Sequence, residues 1–256
     1  MDNKHKLGPT VLLLLAVMIS LFSVPDISAL EDTPVILGAH RGSSVEFIEN
    51  TVEAFEEALN NDKYQFIELD IQYTKDKQIV VYHDITLFRL QNNKQKISEL
   101  TYEELTEISD YKIPLYSEII EMIGAKKAVN VEIKSQGNFD DDKKIVEWII
   151  EDAMERNIQD SMIISSISAD VVKYAKMKYP NIKVGKIYFI SFMTYVHSDY
   201  LTKELFEDTQ ELGADYLMLY GANLLNLEKL MELKPDNIKL AFWYFNDEMY
   251  LVSDNS

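Results

Sequence analysis

The feature that most constrains the fold is a regular alternation of short apolar runs and amphipathic segments between residues 34 and 246. The runs are rich in β-branched residues and predict buried strands, whereas the other segments repeat apolar residues at helical spacing. Repeated strand-then-helix units are typical of a parallel sheet covered by helices. We expect strands over these ranges: 34–40, 66–74, 78–84, 128–134, 161–168, 182–190, 214–221 and 238–246.

About seven such units, with no linker rich in Pro, Gly or Ser, favour one TIM-type (β/α)8 barrel over residues 30–256. An open doubly wound sheet is the alternative, but its first strand is usually followed by GxGxxG, which GAHRGSS (38–44) does not match. The barrel has a reduced or missing eighth unit, because DEMYLVSDNS (247–256) is too short for a helix and a strand. Either MYLVSD (249–254) forms a reduced eighth element, or the barrel stays open.

Residues 1–29 resemble a secretory leader. Lys4 and Lys6 precede an apolar run at 11–24, and Ala29 is the small residue expected at a cleavage site. The run is shorter than the roughly 20 residues of a membrane span, which favours a cleaved signal peptide. An uncleaved N-terminal membrane anchor is the alternative. Both predict a secreted or extracytoplasmic location, and the anchor also predicts membrane association.

Charge and composition exclude several partners and chemistries. The net charge is −18 and no basic face is visible, so we expect no nucleic acid partner. A small anionic substrate remains compatible with this charge if a metal or a few local cations hold it. The chain has no cysteine, so disulfides and thiolate chemistry are excluded, and any metal must be held by oxygen or histidine.

Four of the predicted strands end in polar residues, although the strands are otherwise apolar. In a barrel, the carboxyl ends of the strands meet at one face, and chemistry collects there. We therefore expect these side chains to converge on one site. They are His40 and Arg41, Glu68 and Asp70, His83 and Asp84, and Glu132 and Lys134.

The carboxylates among them predict a metal site. Glu68 and Asp70 are two residues apart, so they face the same side of a strand and repel each other when buried. A divalent cation removes this repulsion, and Glu132 on the neighbouring strand offers a third oxygen. Carboxylate ligands without a thiolate favour a hard cation, Mg²⁺ or Ca²⁺. The same spacing between Glu132 and Lys134 places an ammonium group beside the metal, ready for an anionic ligand.

Two of the four histidines in the chain, His40 and His83, fall in this set. A pair of imidazoles suits general acid and base catalysis near neutral pH. The planar donor fork of Arg41 fits a phosphate group. Together with the metal and Lys134, these residues predict a site for a phosphodiester. For the aromatic residues of the later strands we expect packing in the core or at the rim: Tyr188, Tyr220, Trp243 and Tyr244.

The order and spacing of these motifs resemble the glycerophosphodiester phosphodiesterase family. The matching segments are AHRG (39–42), ENTVEAF (49–55), IELDIQYTKD (67–76), VVYHD (80–84), Arg89 and VEIK (131–134). FWYFND (242–247) is similar to the family's motif on strand seven. The resemblance implies a TIM barrel that hydrolyses glycerophosphodiesters to glycerol phosphate and an alcohol.

The resemblance also implies a role for each matching residue. His40 and His83 would be the general acid/base pair, and Arg41 and Lys134 would bind the phosphate. A divalent metal would be held by Glu68, Asp70 and Glu132. Glu49 and Asn50 match the family's acidic-Asn pair, which would orient the site from the first helix, with Glu49 able to reach the metal.

Two rival functions remain at this stage. A phospholipase-D-like enzyme would share the histidines and the metal but cleave a lysolipid or sphingolipid headgroup. It would need an apolar rim, for which the stretch YFISFMTY (188–195) is a candidate. A non-catalytic binding protein of the same fold is the other rival. The presence of every expected motif residue through Glu132 favours an enzyme.

Overall fold

The computed structural model describes residues 35–188, 199–244 and 248–252. The predicted leader (1–29), His197, residues 189–195 of the expected apolar rim and residues 245–247 of FWYFND lie outside the described residues. Within the described ranges, none of the helices is both long and apolar enough to cross a bilayer.

Nine strands lie in the described residues, and eight of them form a closed barrel. They are β1 (Val35–Ala39), β2 (Phe66–Tyr73), β3 (Ile79–Val81), β4 (Ala128–Ile133), β5 (Met162–Ser166), β6 (Lys183–Tyr188), β7 (Tyr216–Tyr220), β8 (Lys239–Trp243) and β9 (Glu248–Val252). Their order is β1-β9-β8-β7-β6-β5-β4-β2-β3, and pairing of β1 with β2 closes the barrel. The predicted TIM-type barrel is confirmed.

Strand β9 is the reduced eighth element, so the barrel is not open. It runs antiparallel to both neighbours, with Leu251 in register with Ala241 of β8 and Ile36 of β1. Only residues 244–247 connect it to β8. A parallel crossover needs a dozen or more residues, and a connection this short therefore reverses the chain direction.

The polar residues after β3 reach the same rim as the other polar strand ends, although β3 is not a parallel strand of the barrel. This strand forms an antiparallel hairpin with β2, with Ile71 opposite Val81 and Tyr73 opposite Ile79. The connection over residues 74–78 is again too short for a crossover. The hairpin projects beyond the barrel and brings the chain back to the rim, where His83 follows β3.

The described residues contain eight α-helices. They are α1 (Val52–Asn60), α2 (Phe88–Gln91), α3 (Tyr102–Ile108), α4 (Tyr116–Ile123), α5 (Phe139–Glu155), α6 (Ala169–Lys178), α7 (Asp199–Glu211) and α8 (Leu227–Leu233). Thr51 caps α1 by accepting a hydrogen bond from Ala54 N. Gly124 ends α4 with a φ of +52°, which glycine adopts at little cost.

The barrel interior is packed at its amino-terminal end and polar at the other. The ring of Phe66 fills the lower barrel so closely that a Cβ on Gly38 would lie 2.2 Å from it. Side chains on a strand alternate between its faces, so Glu68 and Asp70 point to the same interior as Phe66, at successively higher levels. Polar groups are thereby confined to the mouth at the carboxyl ends of the strands.

Candidate active site

A cavity of about 650 Å³ opens at the carboxyl-terminal end of the barrel. Both predicted catalytic histidines line it, together with two of the predicted metal ligands and both predicted phosphate-binding residues. Asp70 lies fully buried beneath them. The polar lining residues from this set are His40, Arg41, Glu68, His83, Glu132 and Lys134.

Three buried carboxylates form the centre of this site. Glu68, Asp70 and Glu132 each offer an oxygen, and these atoms lie within 4.8 Å of one another. The parallel pairing of β2 with β4 explains the convergence, because Asp70 and Glu132 are partners in register. The expected meeting of these three side chains is therefore observed.

Two cations lie against this cluster. Lys134 Nζ is 2.9 Å from Asp70 Oδ1 and 2.6 Å from Glu132 Oε1. Arg41 Nε is 3.4 Å from Asp70 Oδ2, and the backbone N–H of Arg41 donates to Glu68 Oε2 at 2.9 Å. Two positive charges beside three carboxylates leave the cluster short of positive charge.

The direction in which each carboxyl pKa is shifted shows where the cluster lacks positive charge. Burial, together with the charges of Asp70 and Glu132, raises the pKa of Glu68 well above its usual range. Burial also raises the pKa of Glu132. Burial alone would raise the pKa of Asp70, but the charges of Lys134, His83 and Arg41 hold it well below its usual value. The cluster thus favours an additional proton or cation near Glu68.

The donor set fits a hard divalent cation. All three ligand groups are carboxylates, the type of oxygen ligand that Mg²⁺ and Ca²⁺ take in proteins. A bound cation would also remove the repulsion that raises the pKa of Glu68. These residues therefore could hold the predicted metal.

The loop after β1 is held in an unusual conformation beside the cluster. Arg41 and Asn50 have φ angles of +62° and +60°, in a region that side chains other than glycine seldom adopt. Asn50 Nδ2 donates to Asp70 Oδ2 at 2.7 Å, and Asn50 N donates to the Arg41 carbonyl at 2.9 Å. Asn50 therefore holds both a carboxylate and the arginine loop, an arrangement compatible with the supporting role that the resemblance implies.

Glu49, the other residue of the acidic-Asn pair, lies between two arginines of the site. Its two oxygens accept hydrogen bonds from two arginines: Arg41 Nη1 at 3.0 Å, and both terminal nitrogens of Arg89 at 2.6 and 2.7 Å. Although burial would raise the pKa of Glu49, these arginines lower it, so the carboxylate is ionised. Glu49 therefore orients Arg41, and its reach to a bound metal stays a prediction.

His83 is oriented by a carboxylate that the sequence analysis left without a role. Its Nδ1 lies 2.7 Å from Asp84 Oδ1, and Asp84 Oδ2 accepts from Arg89 Nε at 2.6 Å. Burial opposes ionisation of Asp84, but the bonds to His83 and Arg89 lower its pKa to about 2. An ionised carboxylate only accepts, so Nδ1 of His83 carries a proton, and Nε2 is the nitrogen left for proton transfer.

His40 occupies the deeper wall of the same cavity. Its Nε2 lies 3.8 Å from Glu68 Oε2, and its ring centre lies 6.2 Å from that of Trp243. Trp243, which was expected to pack in the core or at the rim, lines the cavity. Its position at the end of β8, like the other polar strand ends, was the signal that could have placed it there.

Gln72 is a further functional residue that the sequence analysis missed. It is fully buried on β2, and its Nε2 donates to the carbonyls of Tyr82 at 2.8 Å and Asp84 at 2.9 Å. These bonds fix the segment that carries His83. The sequence feature that could have identified Gln72 is its position in a strand predicted to be buried. A buried amide needs hydrogen-bond partners.

The cavity also has an apolar side. Ile85 and Ile167 lie at its rim and are 52% and 50% exposed. Ile187, Trp243 and Met249 continue this surface into the cavity. The two sides therefore differ in chemistry, with charges around the carboxylate cluster and hydrocarbon around the remaining space.

Comparisons with known proteins agree with this geometry. The model of the "Glycerophosphoryl diester phosphodiesterase family" matches residues 40–255. A glycerophosphodiester phosphodiesterase of Caldanaerobacter subterraneus is 35% identical over 161 residues, which are 59% of this chain and 65% of that protein. A human lysophospholipase D is 40% identical over 86 residues, 34% of this chain and 24% of that protein. The matches thus span less than two thirds of either relative.

The fold is also that of solved structures. The crystal structure of a glycerophosphodiester phosphodiesterase from Thermotoga maritima superposes with a TM-score of 0.64 at 28% sequence identity. The superposition covers 83% of this chain and 87% of the Thermotoga protein.

Proposed function

Because the chain belongs to the glycerophosphoryl diester phosphodiesterase family, we propose that it hydrolyses glycerophosphodiesters to glycerol 3-phosphate and an alcohol. The observation that carries this proposal is the convergence of two histidines, three carboxylates and two cations on one cavity. Arg41 and Lys134 supply positive charge where a phosphate would bind. A phosphodiester is the ligand whose cleavage uses all of these groups.

The carboxylate cluster supports a metal requirement. Glu68, Asp70 and Glu132 would hold Mg²⁺ or Ca²⁺, which supplies positive charge that stabilises the negative charge developing on the phosphate oxygens. Arg41 and Lys134 would hold the same oxygens through charge-assisted hydrogen bonds. Asn50 and Glu49 keep Asp70 and Arg41 oriented for these tasks.

The two histidines would move the protons of the reaction. One imidazole takes the proton of the attacking oxygen, and the other donates a proton to the oxygen of the leaving alcohol. His83 and His40 line the same cavity and so can serve one substrate. The attacking oxygen is that of water or of a glycerol hydroxyl, and a cyclic phosphate product would identify the second route.

Lysophospholipids are a second candidate substrate class, as in a phospholipase-D-like enzyme. The observation that favours them is the apolar side of the cavity, from Ile187 out to Ile85 and Ile167 at the rim. A hydrocarbon chain could lie along this surface while the phosphate meets Arg41 and Lys134. The human relative named lysophospholipase D supports the same proposal.

The experiment that tests the function compares four substrates. Purified protein is incubated with glycerophosphocholine, glycerophosphoethanolamine, lysophosphatidylcholine and sphingosylphosphocholine, each with Ca²⁺, Mg²⁺ or EDTA. We expect cation-dependent release of the headgroup alcohol and of glycerol 3-phosphate from the first two. If folded, cation-loaded protein binds these compounds without turnover, the non-catalytic alternative replaces the proposal. Turnover of a lysolipid alone would establish the second candidate.

The cellular location stays a prediction of the sequence. Residues 1–34, which carry the candidate signal peptide or anchor, lie outside the described residues. We propose a secreted or extracytoplasmic protein on the basis of the basic and apolar pattern at 4–24. Mass spectrometry of the N-terminus after expression would distinguish cleavage near Ala29 from an intact anchor.

A further inference from the structure

We propose that Arg89 is a positioning residue that holds His83 and Arg41 in fixed relation to each other. This inference rests on the proposed function, because it assigns those two residues to one reaction. Arg89 does not line the cavity, and it acts through two carboxylates. Its role therefore differs from that of the groups that would contact substrate.

The guanidinium of Arg89 binds both carboxylates with short hydrogen bonds. Nε donates to Asp84 Oδ2 at 2.6 Å, while Nη1 and Nη2 donate to Glu49 Oε2 and Oε1 at 2.7 and 2.6 Å. The pair with Glu49 is bidentate, the arrangement in which a planar fork fixes orientation as well as distance. One side chain thus donates three hydrogen bonds to the oxygens of two carboxylates.

Each of the two carboxylates also contacts a side chain that lines the cavity. The second oxygen of Asp84 contacts His83 Nδ1 at 2.7 Å. Glu49 Oε1 also accepts from Arg41 Nη1 at 3.0 Å. Asp84 belongs to the segment after β3, whereas Glu49 belongs to the loop before α1, so Arg89 joins two separate connections of the chain.

Stability alone does not explain this arrangement. The Arg89 side chain is 44% exposed, so solvent screens its ion pairs and limits their contribution to folding, although the bidentate geometry lets them contribute more than a single surface pair. Without Arg89, however, the two carboxylates would lose the charge between them, and Asp84 could rotate away from His83. The expected consequence is a loss of geometry at the cavity rather than a loss of fold.

Steady-state kinetics separate the contact of Arg89 with Asp84 and His83 from its contact with Glu49 and Arg41. Asp84→Asn should lower kcat, because it releases His83, and Glu49→Gln should raise KM, because it releases Arg41. Arg89→Gln should do both, with a fall of about a hundredfold in kcat/KM, the loss that a displacement of about 1 Å can cause. Arg89→Lys keeps the charge without the fork and should recover only part of the activity.

A double variant tests whether Arg89 and Asp84 affect kcat through the same contact with His83. The double variant Arg89→Gln/Asp84→Asn should have nearly the kcat of Asp84→Asn alone, since both substitutions release the same imidazole. Arg156→Gln is the matched control: Arg156 Nε contacts both oxygens of Asp152 at 2.9 Å on α5. This control should keep wild-type kcat and KM, and all variants should keep the wild-type thermal midpoint within a few degrees.

A measurement without turnover distinguishes this proposal from the proposed function. At a pH where the ring is neutral, the ¹⁵N chemical shifts of His83 should report the tautomer protonated on Nδ1 in the wild type, and a mixture of tautomers in Arg89→Gln. If the tautomer of His83 changes in Arg89→Gln but the wild type shows no turnover, the proposed function is refuted. Arg89 would still be the residue that orients His83. Unchanged tautomers with kcat/KM within twofold of wild type in both Arg89 variants would overturn the positioning role.

Discussion

Lys134 and Glu132 lie two residues apart at the end of β4, and the ammonium nitrogen of Lys134 is 2.6 Å from Oε1 of Glu132. The same nitrogen is 2.9 Å from Asp70 Oδ1. One buried lysine therefore bridges two of the three carboxylates, and Asp70 and Glu132 in turn raise the pKa of Lys134 against the opposing effect of burial. The charge balance of the cluster therefore depends on this lysine together with Arg41.

Replacing this lysine should destabilise the metal-free protein. Lys134→Met leaves two buried carboxylates without their shared cation, which costs about 3–5 kcal/mol for a broken buried pair. A divalent cation should recover part of this loss, because it supplies the missing charge. Urea unfolding in EDTA and in Ca²⁺ measures both effects. Lys178→Met, which removes an exposed pair with Glu147, serves as the control and should leave unfolding unchanged.

The raised pKa of Glu68 predicts how stability depends on pH. A carboxyl whose pKa is raised on folding holds a proton that the unfolded chain releases, so the metal-free protein loses stability as pH rises through the folded pKa. Each such group changes the free energy of unfolding by at most about 1.4 kcal/mol per pH unit. Unfolding in EDTA from pH 5 to 9 should therefore show a decline that is smaller in Glu68→Gln.

Asp70 and Asp84 do not counteract this decline in the same range. Their pKa values are lowered by folding, so their stabilising effect is complete at neutral pH and is lost only in acid. A metal-free protein whose stability rises steadily from pH 5 to 9, in the wild type and Glu68→Gln alike, would contradict the assignment of the raised pKa to Glu68.

Removal of either histidine should abolish turnover while sparing cation binding. General acid or base catalysis contributes about 10²–10⁴-fold, so His40→Ala and His83→Ala should each lose at least a hundredfold in kcat. Because neither histidine belongs to the carboxylate cluster, both variants should still bind Ca²⁺. The rise in thermal midpoint on adding Ca²⁺ should therefore persist. Asp70→Asn is the converse variant, in which the Ca²⁺-dependent rise itself should disappear.

Gln72→Leu should disturb His83 from a distance. The substitution removes the donor to the carbonyls of Tyr82 and Asp84, and an unsatisfied buried acceptor costs about 1–3 kcal/mol. The released segment should also lower kcat, because it carries His83. Gln210→Leu, at an exposed position of α7, is the control for the chemical change. A Gln72 variant with wild-type kcat would show that the hairpin positions His83 without this amide.

The central part of the site could be predicted from the sequence for one physical reason. Parallel strands bring their carboxyl ends together, so the polar ends of β1, β2 and β4 had to meet. Alternation along β2 then placed Glu68 and Asp70 on the same face. Periodicity does not give strand direction, however, so it did not predict that β3 runs antiparallel to β2. The connections at 74–78 and 244–247 are too short for a parallel crossover, so their length indicates the antiparallel direction of β3 and β9.

The orienting groups could not be predicted in the same way. Asp84, Arg89 and Gln72 act through hydrogen bonds between segments whose relative placement depends on the hairpin, which spacing alone does not determine. Trp243 is an aromatic residue in an apolar strand, and packing is the commoner use of such a residue. The structure resolves these cases because it shows which side of each strand faces the cavity.

The most direct test of the account is a ³¹P NMR time course with glycerophosphoethanolamine. Wild-type protein with Ca²⁺ or Mg²⁺ should replace the phosphodiester signal by that of glycerol 3-phosphate, whereas EDTA or His40→Ala should leave the phosphodiester intact. Conversion that is equally fast in EDTA or in His40→Ala, or no conversion by folded wild-type protein with bound cation, would contradict the account.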